Sequence, residues 1–342
     1  MKKVRSAIIG LGAIGPTHAK SLAQIDNAEL VAVCDLIPER AQKIADQYGC
    51  KVYTDCDAML DSEQIDLLHV CLPSGLHAEY GLKAAARGVN VLTEKPIDVS
   101  LEHADALIAG CRQAGVKLSV ISQHRFDDAM IQAHQALVDG RFGQLNFGGS
   151  YTKWFRDQKY YDSGDWRGTW ELDGGGALMN QSVHYVDMLQ YMMGEVEEVT
   201  AYCATRAHVR IEVEDIAAAI IKFKSGAVGM LEGNTTAYPG FHTRLDVYGT
   251  DGSVIIENDQ IREWKFRDEI DAPKQVAQME GPAGASSAAI GESSHVRQIQ
   301  DVVNAILEDR EPAITGEMAR APLAIILAVY ESARTGKAVK LG

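Results

Sequence analysis

The sequence predicts an α/β protein in which a doubly wound parallel sheet is followed by an α+β domain with a large, mostly antiparallel sheet. Two observations support this fold class. As far as residue 123, short apolar runs alternate with helical segments, the order that builds parallel sheets with crossover helices. Beyond residue 123, several strand-like runs follow one another without helices between them. We therefore predict two domains, at residues 1–123 and 124–342.

The first domain is predicted to be Rossmann-like. Its apolar runs have the length and composition of buried parallel strands, and they span residues 4–9, 30–34, 67–71, 89–93 and 118–122. Helices are predicted over residues 16–25, 39–48, 78–87 and 101–114.

The second domain is predicted to begin with a helix over residues 129–139 and a strand over 145–155, followed by an aromatic loop over 154–170. Further strands are predicted over 199–206, 216–222, 227–235 and 244–248. A Gly/Ala/Ser-rich surface loop over 281–291 and helices over 294–308 and 318–335 complete the chain.

The composition favours a globular protein that binds a small ligand. The 342-residue chain carries a formal net charge of −14, the opposite of the basic surface that binds nucleic acid or an anionic membrane. We find neither a signal-peptide pattern nor an apolar stretch of membrane-spanning length, so a cytoplasmic protein is expected. The six cysteines form no metal-binding pattern, and no metal is predicted.

A glycine-rich turn, GLGAIG at residues 10–15, joins the first strand to the first helix and matches G-x-G-x-x-G. Such glycines permit a tight turn, close approach of the backbone to a pyrophosphate, and close packing of the helix, whose positive end faces the phosphates. A merely tight turn is the alternative. The predicted dinucleotide contacts are Gly10, Gly12, Ala13, Ile14 and Gly15.

Asp35 ends the second predicted strand, twenty positions after Gly15. A carboxylate at this point accepts hydrogen bonds from the adenosine ribose and would repel the extra phosphate of NADP. NAD is therefore the predicted cofactor. An acidic turn residue before Pro38 is the alternative, and Arg40 leaves tolerance for NADP open.

Two further segments follow the glycine turn: TEKP at residues 93–96 and GGGALMNQSVHYVD at residues 174–187. In this order, the three motifs resemble the glucose-fructose oxidoreductase/inositol dehydrogenase (Gfo/Idh/MocA) family over nearly the whole chain. The resemblance implies a Rossmann domain, NAD chemistry, and oxidation or reduction of a ring hydroxyl on a sugar, a sugar acid or a cyclitol.

The resemblance implies that Lys95 lies near the reacting hydroxyl and that His184 takes its proton. A lysine at the carboxyl end of a parallel strand can donate to a substrate oxygen, and a histidine has a suitable pKa for a base. A surface lysine and a core histidine are the alternatives. Asn180, where many relatives carry aspartate, can orient a substrate but cannot relay a proton. Lys95, His184 and Asn180 are thus the catalytic candidates and also substrate contacts.

Further candidates for cofactor contacts follow the predicted strands. The loop after the third strand resembles a P-x-x-x-H loop of the family, and its candidates are Leu72, Pro73, Ser74 and His77. Glu94 is a candidate for the nicotinamide ribose, or a simple strand-end charge, and Gln123 ends the fifth strand at the same rim.

The aromatic loop also contains arginines, and this combination suits a polyol that bears a carboxylate or phosphate. Tyr160 and Arg167 are predicted substrate contacts, and Arg167 is also a candidate cofactor contact. A subunit interface is the alternative role for the other aromatic residues.

These patterns predict an NAD-dependent dehydrogenase that oxidises a secondary hydroxyl of a sugar, sugar acid, glycoside or cyclitol to a ketone. Two alternatives stay open: an NAD-dependent enzyme that cleaves glycosides through transient oxidation, and a non-catalytic NAD-binding regulator. An antiparallel sheet with one apolar face uncovered also predicts a homodimer or homotetramer.

Overall fold

The computed structural model describes residues 3–268 and 292–342, and the chain forms two compact units. The first contains the described residues up to Gln123 together with residues 292–320, and the second contains residues 124–268 and 321–342. A parallel sheet in the first unit and a mostly antiparallel sheet in the second confirm the predicted fold class. The loop predicted at 281–291 lies outside the described residues.

The first unit is built on a six-stranded parallel sheet with the order β3-β2-β1-β4-β5-β6. Its strands are β1 (Val4–Ile9), β2 (Ala28–Cys34), β3 (Lys51–Tyr53), β4 (Leu67–Val70), β5 (Asn90–Thr93) and β6 (Leu118–Val120). The strand order reverses between β1 and β4. Open sheets of this kind bind ligands at the carboxyl ends of the strands that flank such a reversal.

Five helices connect these strands: α1 (Gly15–Leu22), α2 (Pro38–Tyr48), α3 (Cys56–Ser62), α4 (His77–Ala85) and α5 (Leu101–Ala114). The apolar pattern did not reveal β3 or α3. Strand β3 has only three residues, and none of them is fully buried. Helix α3 is instead marked by its cap, because the Asp55 carboxylate accepts a 2.6 Å hydrogen bond from the N–H of Ala58.

The second unit contains an eight-stranded sheet with the order β13-β12-β11-β7-β10-β9-β8-β14, in which β7 and β10 are parallel and the other pairs antiparallel. Its strands are β7 (Leu145–Lys153), β8 (Val196–Ala204), β9 (Ile216–Phe223), β10 (Val228–Asn234), β11 (Arg244–Gly249), β12 (Gly252–Glu257), β13 (Gln260–Phe266) and β14 (Val339–Lys340).

The helices of the second unit are α6 (Asp128–Val138), the short α7 (Gln158–Tyr161) and α8 (Val183–Met193). Two more helices follow: α9 (Glu292–Glu308), whose Ile299, Val302 and Val303 join the core of the first unit, and α10 (Gly316–Thr335). Within the described residues, no helix combines the length and apolar character needed to span a membrane.

A π-helical segment, Ala177–Ser182, precedes α8. Asn180 lies in this π-helical segment and His184 in α8, so the helix type changes between them. The buried carboxylate of Glu214 accepts hydrogen bonds from the N–H groups of Gly176 and Leu178, at 3.0 and 2.7 Å. These bonds fix the start of the segment that leads to the site residues.

Glycine is required at the entrance to this segment. A Cβ atom at Gly176 would lie 1.9 Å from the carbonyl oxygen of Glu214. The hydroxyl of Tyr330 also donates to the Glu214 carboxylate, at 3.0 Å. Burial raises the pKa of Glu214 to about 7, although these hydrogen bonds act in the opposite direction.

Candidate active site

The glycine turn has the backbone geometry that its sequence predicts. Gly10 has a φ of +86°, and a Cβ atom there would lie 2.5 Å from the carbonyl oxygen of Cys71. A Cβ atom at Gly15 would lie 2.1 Å from the carbonyl oxygen of Gly10, whereas one at Gly12 would meet no protein atom within 4 Å. Helix α1 begins beside this space without a side-chain cap and without an acidic residue in its first turn. The turn therefore fits an anionic pyrophosphate.

Asp35 lies against this turn. It is 8% exposed, and its carboxylate accepts hydrogen bonds from the N–H of Leu11 at 2.6 Å and of Ile37 at 2.8 Å. The hydrogen bond from Ile37 is typical of an acidic turn residue. The hydrogen bond from Leu11 holds the carboxylate beside the glycine turn. A carboxylate has further lone pairs that can accept from ribose hydroxyls.

The loop after β4 is held by His77. Its ring is buried, with Nδ1 2.7 Å from the carbonyl oxygen of Pro96 and Nε2 2.9 Å from that of Leu72. Burial lowers the pKa of His77, although the two carbonyls raise it. Both ring nitrogens thus face backbone, and His77 positions the loop that contains Pro73 and Ser74.

Glu94 belongs to a buried cluster that the sequence analysis did not recognise. Its Oε1 lies 2.9 Å from Nε2 of His18 and 4.0 Å from Nε2 of His295, and His18 Nδ1 lies 3.0 Å from Nδ1 of His69. Burial would raise the pKa of Glu94, but the hydrogen bond and charge of His18 outweigh it and lower the pKa to about 2. The ionised carboxylate also accepts from the N–H of Lys95 at 3.2 Å. His69, a histidine within the apolar run at residues 67–71, is the sequence feature that could have indicated this cluster.

In the second unit, His184 lies in the first turn of α8. Its ring is edge-on to that of His124, with the centroids 4.9 Å apart and the planes at 74°. His124 Nδ1 lies 2.7 Å from Oδ2 of Asp127 and 3.2 Å from Oδ1 of Asp259. The predicted base therefore lies against a histidine that two carboxylates hold.

Asp187 also lies on α8, three residues after His184. Its carboxylate is bound by Arg125 through Nε at 2.8 Å and Nη2 at 2.5 Å, and both side chains are buried. The guanidinium of Arg125 also stacks on Tyr191, 4.2 Å from the ring centroid. This bidentate pair anchors α8.

Asn180 lies in a polar cluster with residues of the aromatic loop. Its Oδ1 accepts a 2.6 Å hydrogen bond from Nε2 of Gln181, and its Nδ2 donates to Asp173. The hydroxyl of Tyr160 accepts from Gln181 at 2.7 Å and from Arg167 at 2.6 Å. Three predicted residues, Tyr160, Arg167 and Asn180, are therefore together, and Gln181 links them.

Arg156, which was not among the predicted site residues, joins the same cluster. It donates to Oε1 of Gln181 at 3.0 Å and lies 5.2 Å from the ring centroid of Tyr160. Its backbone carbonyl faces Nε2 of His208 at 2.8 Å, and His208 is held by the buried Asp215 at 3.0 Å. The run of arginine and aromatic residues was a signal for this group.

Two groups in the described residues have the composition of metal sites: His18, Glu94 and His295, and His124, Asp127 and Asp259. The shortest nitrogen–oxygen distances in them are 2.9 and 2.7 Å. Two ligands of a tetrahedral zinc site lie about 3.3 Å apart, and magnesium prefers oxygen ligands. The two groups therefore have the geometry of hydrogen-bonded ion pairs.

The parallel sheet of the first unit, with the glycine turn beside the reversal of strand order, defines the Rossmann class of nucleotide-binding folds. Residues 4–122 match the family model described as an oxidoreductase family with an NAD-binding Rossmann fold, and residues 130–255 match the GFO/IDH/MocA C-terminal domain. The chain belongs to the Gfo/Idh/MocA family. The predicted family and the predicted cofactor, NAD, are thus confirmed.

Two of the relatives are inositol dehydrogenases. The chain is 31% identical to inositol 2-dehydrogenase of Rhizobium meliloti over 75% of this chain and 76% of that protein. It is 26% identical to myo-inositol 2-dehydrogenase of Thermotoga maritima over 99% and 98% of the two chains. The crystal structure of WlbA dehydrogenase from Bordetella pertussis in complex with NADH and UDP-GlcNAcA matches this chain with a TM-score of 0.90. The two sequences are 34% identical, and the match covers 100% of this chain and 99% of that one. The chain is an NAD-dependent dehydrogenase that acts on a hydroxyl of a sugar or cyclitol.

Two glycine substitutions separate cofactor binding from folding. We expect Gly12→Ala to preserve the melting temperature but to raise the Kd for NAD by about tenfold or more, because its methyl group would occupy the space beside the pyrophosphate. Gly15→Ala should instead destabilise the fold by about 1–3 kcal/mol, because its methyl group meets backbone. Calorimetry of NAD binding and thermal unfolding measure the two effects. Wild-type affinity in Gly12→Ala would contradict the assignment of the turn.

Proposed function

We propose that the chain oxidises a secondary ring hydroxyl of a sugar acid, either free or linked to a nucleotide. The observation that carries this proposal is the environment of Arg167. Its guanidinium lies 4.4 Å from the ring centroid of Tyr160 and 4.5 Å from that of Trp166, and it has no ion-pair partner among the residues that the structure describes. An arginine held by aromatic rings offers a planar fork that suits a carboxylate.

The similarity to WlbA dehydrogenase supports the same substrate class. That relative was crystallised with UDP-GlcNAcA, a nucleotide-linked sugar acid, and it matches this chain over its full length. Arg156 and Arg167 both lie beside the Tyr160 ring, at 5.2 and 4.4 Å from its centroid. Two guanidinium groups on one tyrosine favour an anionic ligand over a neutral cyclitol.

We assign the chemical step to three side chains. His184 accepts the proton of the hydroxyl, and the Lys95 ammonium donates to the same oxygen as negative charge develops. Bound NAD supplies the acceptor for the hydride that leaves the carbinol carbon. Asn180 orients the substrate, since its hydrogen bonds with Asp173 and Gln181 hold it in place and its amide does not ionise and so cannot relay a proton.

Steady-state NADH formation tests the reaction and its substrate class. We expect kcat/KM for uronic acids or nucleotide-linked uronic acids to exceed that of the matched neutral sugars and inositols by about tenfold or more. Lys95→Ala and His184→Ala should each lower kcat about 10²–10⁴-fold. A preference for neutral inositols would overturn the sugar-acid assignment. Release of an aglycone without net NADH would instead support transient oxidation coupled to glycoside cleavage.

Arg167→Met tests the carboxylate contact directly. We expect a rise in KM of about tenfold or more for the sugar acid and little change for its neutral analogue, since a charged hydrogen bond is lost only with the acid. Arg210→Met is the matched control, because Arg210 is paired with Asp162 at 2.7 Å and is exposed. Equal losses on both substrates would show that Arg167 supports the fold and does not select the substrate.

We also propose that the chain forms a homodimer or homotetramer through the open face of its second sheet. Strands β9 and β10 alternate between buried and exposed residues. Ile220, Val228 and Met230 are 50%, 45% and 42% exposed. An apolar face of this kind on adjacent strands usually marks an interface.

Charge substitution on that face tests the assembly. We expect light scattering to give a dimer or tetramer mass for the wild type and a lower mass for Ile220→Lys, because burying an unpaired ammonium in an interface is unfavourable. Val138→Lys is the control, since Val138 is 67% exposed and ends α6, outside strands β9 and β10. A wild-type mass of a single chain would refute the proposal.

The six cysteines support our proposal of a cytoplasmic location. All six are unpaired thiols in the structure. Burial raises the pKa of Cys34 and of Cys111 to about 12, so these thiols stay protonated and unreactive. Unpaired thiols are typical of proteins in reducing compartments.

A further inference from the structure

We propose that His124 is a positioning residue: held as an imidazolium by Asp127 and Asp259, it opposes protonation of the adjacent His184 and so keeps that residue able to accept a proton. The inference rests on the proposed function, in which His184 is the base. It assigns to His124 a role in the reaction that neither the sequence patterns nor the family motifs indicate.

Asp127 and Asp259 form a carboxylate clamp on Nδ1 of His124. Asp127 Oδ2 lies 2.7 Å from His124 Nδ1, and Asp259 Oδ1 lies 3.2 Å from the same nitrogen. The side chains of His124 and Asp127 are each 15% exposed, whereas that of Asp259 is 40% exposed. Two carboxylates on one ring nitrogen of a mostly buried histidine favour the charged imidazole.

Asp259 of the clamp lies in a strained turn. Asn258 and Asp259 form the two-residue turn between β12 and β13, with φ angles of +50° and +61°. Glycine is the residue best suited to such a conformation, and a side chain there carries backbone strain. This strained turn places the Asp259 carboxylate beside Nδ1 of His124.

The hydroxyl groups of Tyr185 and Thr243 form a chain of hydrogen bonds that fixes the Asp259 carboxylate. The hydroxyl of Tyr185 donates to Asp259 Oδ1 at 2.8 Å, and it accepts from Oγ1 of Thr243 at 2.6 Å. Burial raises the pKa of Tyr185 well above its usual value, so the phenol stays neutral and remains a donor. Tyr185 is also the residue next to His184, so the clamp and the base are joined through α8.

Charged and titratable groups from three segments face the two histidines. Around His124 they are Asp127 from its own segment, Asp259 from the β12–β13 turn, and His184 and Tyr185 from α8. On α8, the charge of Asp187 is paired with Arg125 at 2.5 Å. Burial would lower the pKa of His124, but Asp259 and Asp127 outweigh it and raise the pKa well above the ordinary value.

The rings of His124 and His184 are in contact, so a charge on one affects protonation of the other. Protonation of His184 would bring a second positive charge to within 4.9 Å, centroid to centroid, of the first. Like charges at this distance disfavour the charged form. Loss of the positive charge on His124 therefore makes His184 easier to protonate, and the base is lost at a higher pH.

The test is the pH profile of kcat/KM for sugar oxidation. We expect His124→Gln to move the acidic limb to higher pH by about one unit or more, with little loss on the alkaline plateau. His124→Lys retains the positive charge and should restore the wild-type limb. His134→Gln is the control, because His134 of α6 stacks on Tyr191 of α8, with 3.9 Å between ring centroids, and is not part of the clamp. An unshifted limb in a folded His124→Gln protein overturns the proposal, as does the same shift in His134→Gln.

Nitrogen NMR of the histidine rings in the wild-type protein gives a second readout, independent of turnover and of any substitution. The expected result is a His124 ring that stays doubly protonated as the pH rises through neutrality, while His184 titrates below it. A neutral His124 ring at neutral pH overturns the clamp. Full activity in His184→Ala would instead refute the proposed base while leaving the NMR result for His124 intact, so the two failures are distinguishable.

Discussion

Buried carboxylates must be satisfied by donors, and this constraint fixes where the predicted site residues lie. Asp35 accepts from the glycine turn, Glu94 from His18 and from the N–H of Lys95, and Glu214 from the entrance to the π-helical segment. Leaving any of these acceptors unpaired would cost on the order of 1–3 kcal/mol or more. The nucleotide turn, the lysine and the entrance to the histidine helix are therefore each tied to a buried acid.

The parts of the fold that follow from local rules could be predicted from the sequence. The glycine turn was recognisable because steric limits on backbone conformation leave few alternatives to glycine at Gly10 and Gly15. Parallel strands such as β1 were recognisable as apolar runs because both of their faces are covered. Strand β3 and helix α3 escaped because β3 is short and half-exposed and α3 depends on a cap.

The relations between distant residues could not be predicted from the sequence. His69 and His295 are 226 positions apart, yet both belong to the cluster around Glu94 and His18. The role of Gln181 depends on a π-helical segment, whose widened turn no residue spacing reveals. Family resemblance supplied the roles of Lys95 and His184, because a single lysine or histidine has no local signature of catalysis.

Glycines in the second sheet have a consequence for changing substrate preference by protein engineering. A Cβ atom at Gly148 would lie 2.5 Å from Met193, and one at Gly233 would lie 2.9 Å from Oγ of Ser182. The strands beneath α8 and the π-helical segment therefore leave no room for larger side chains. Mutant libraries aimed at new sugars will retain folded variants if diversity is confined to the aromatic loop and these glycines are kept constant.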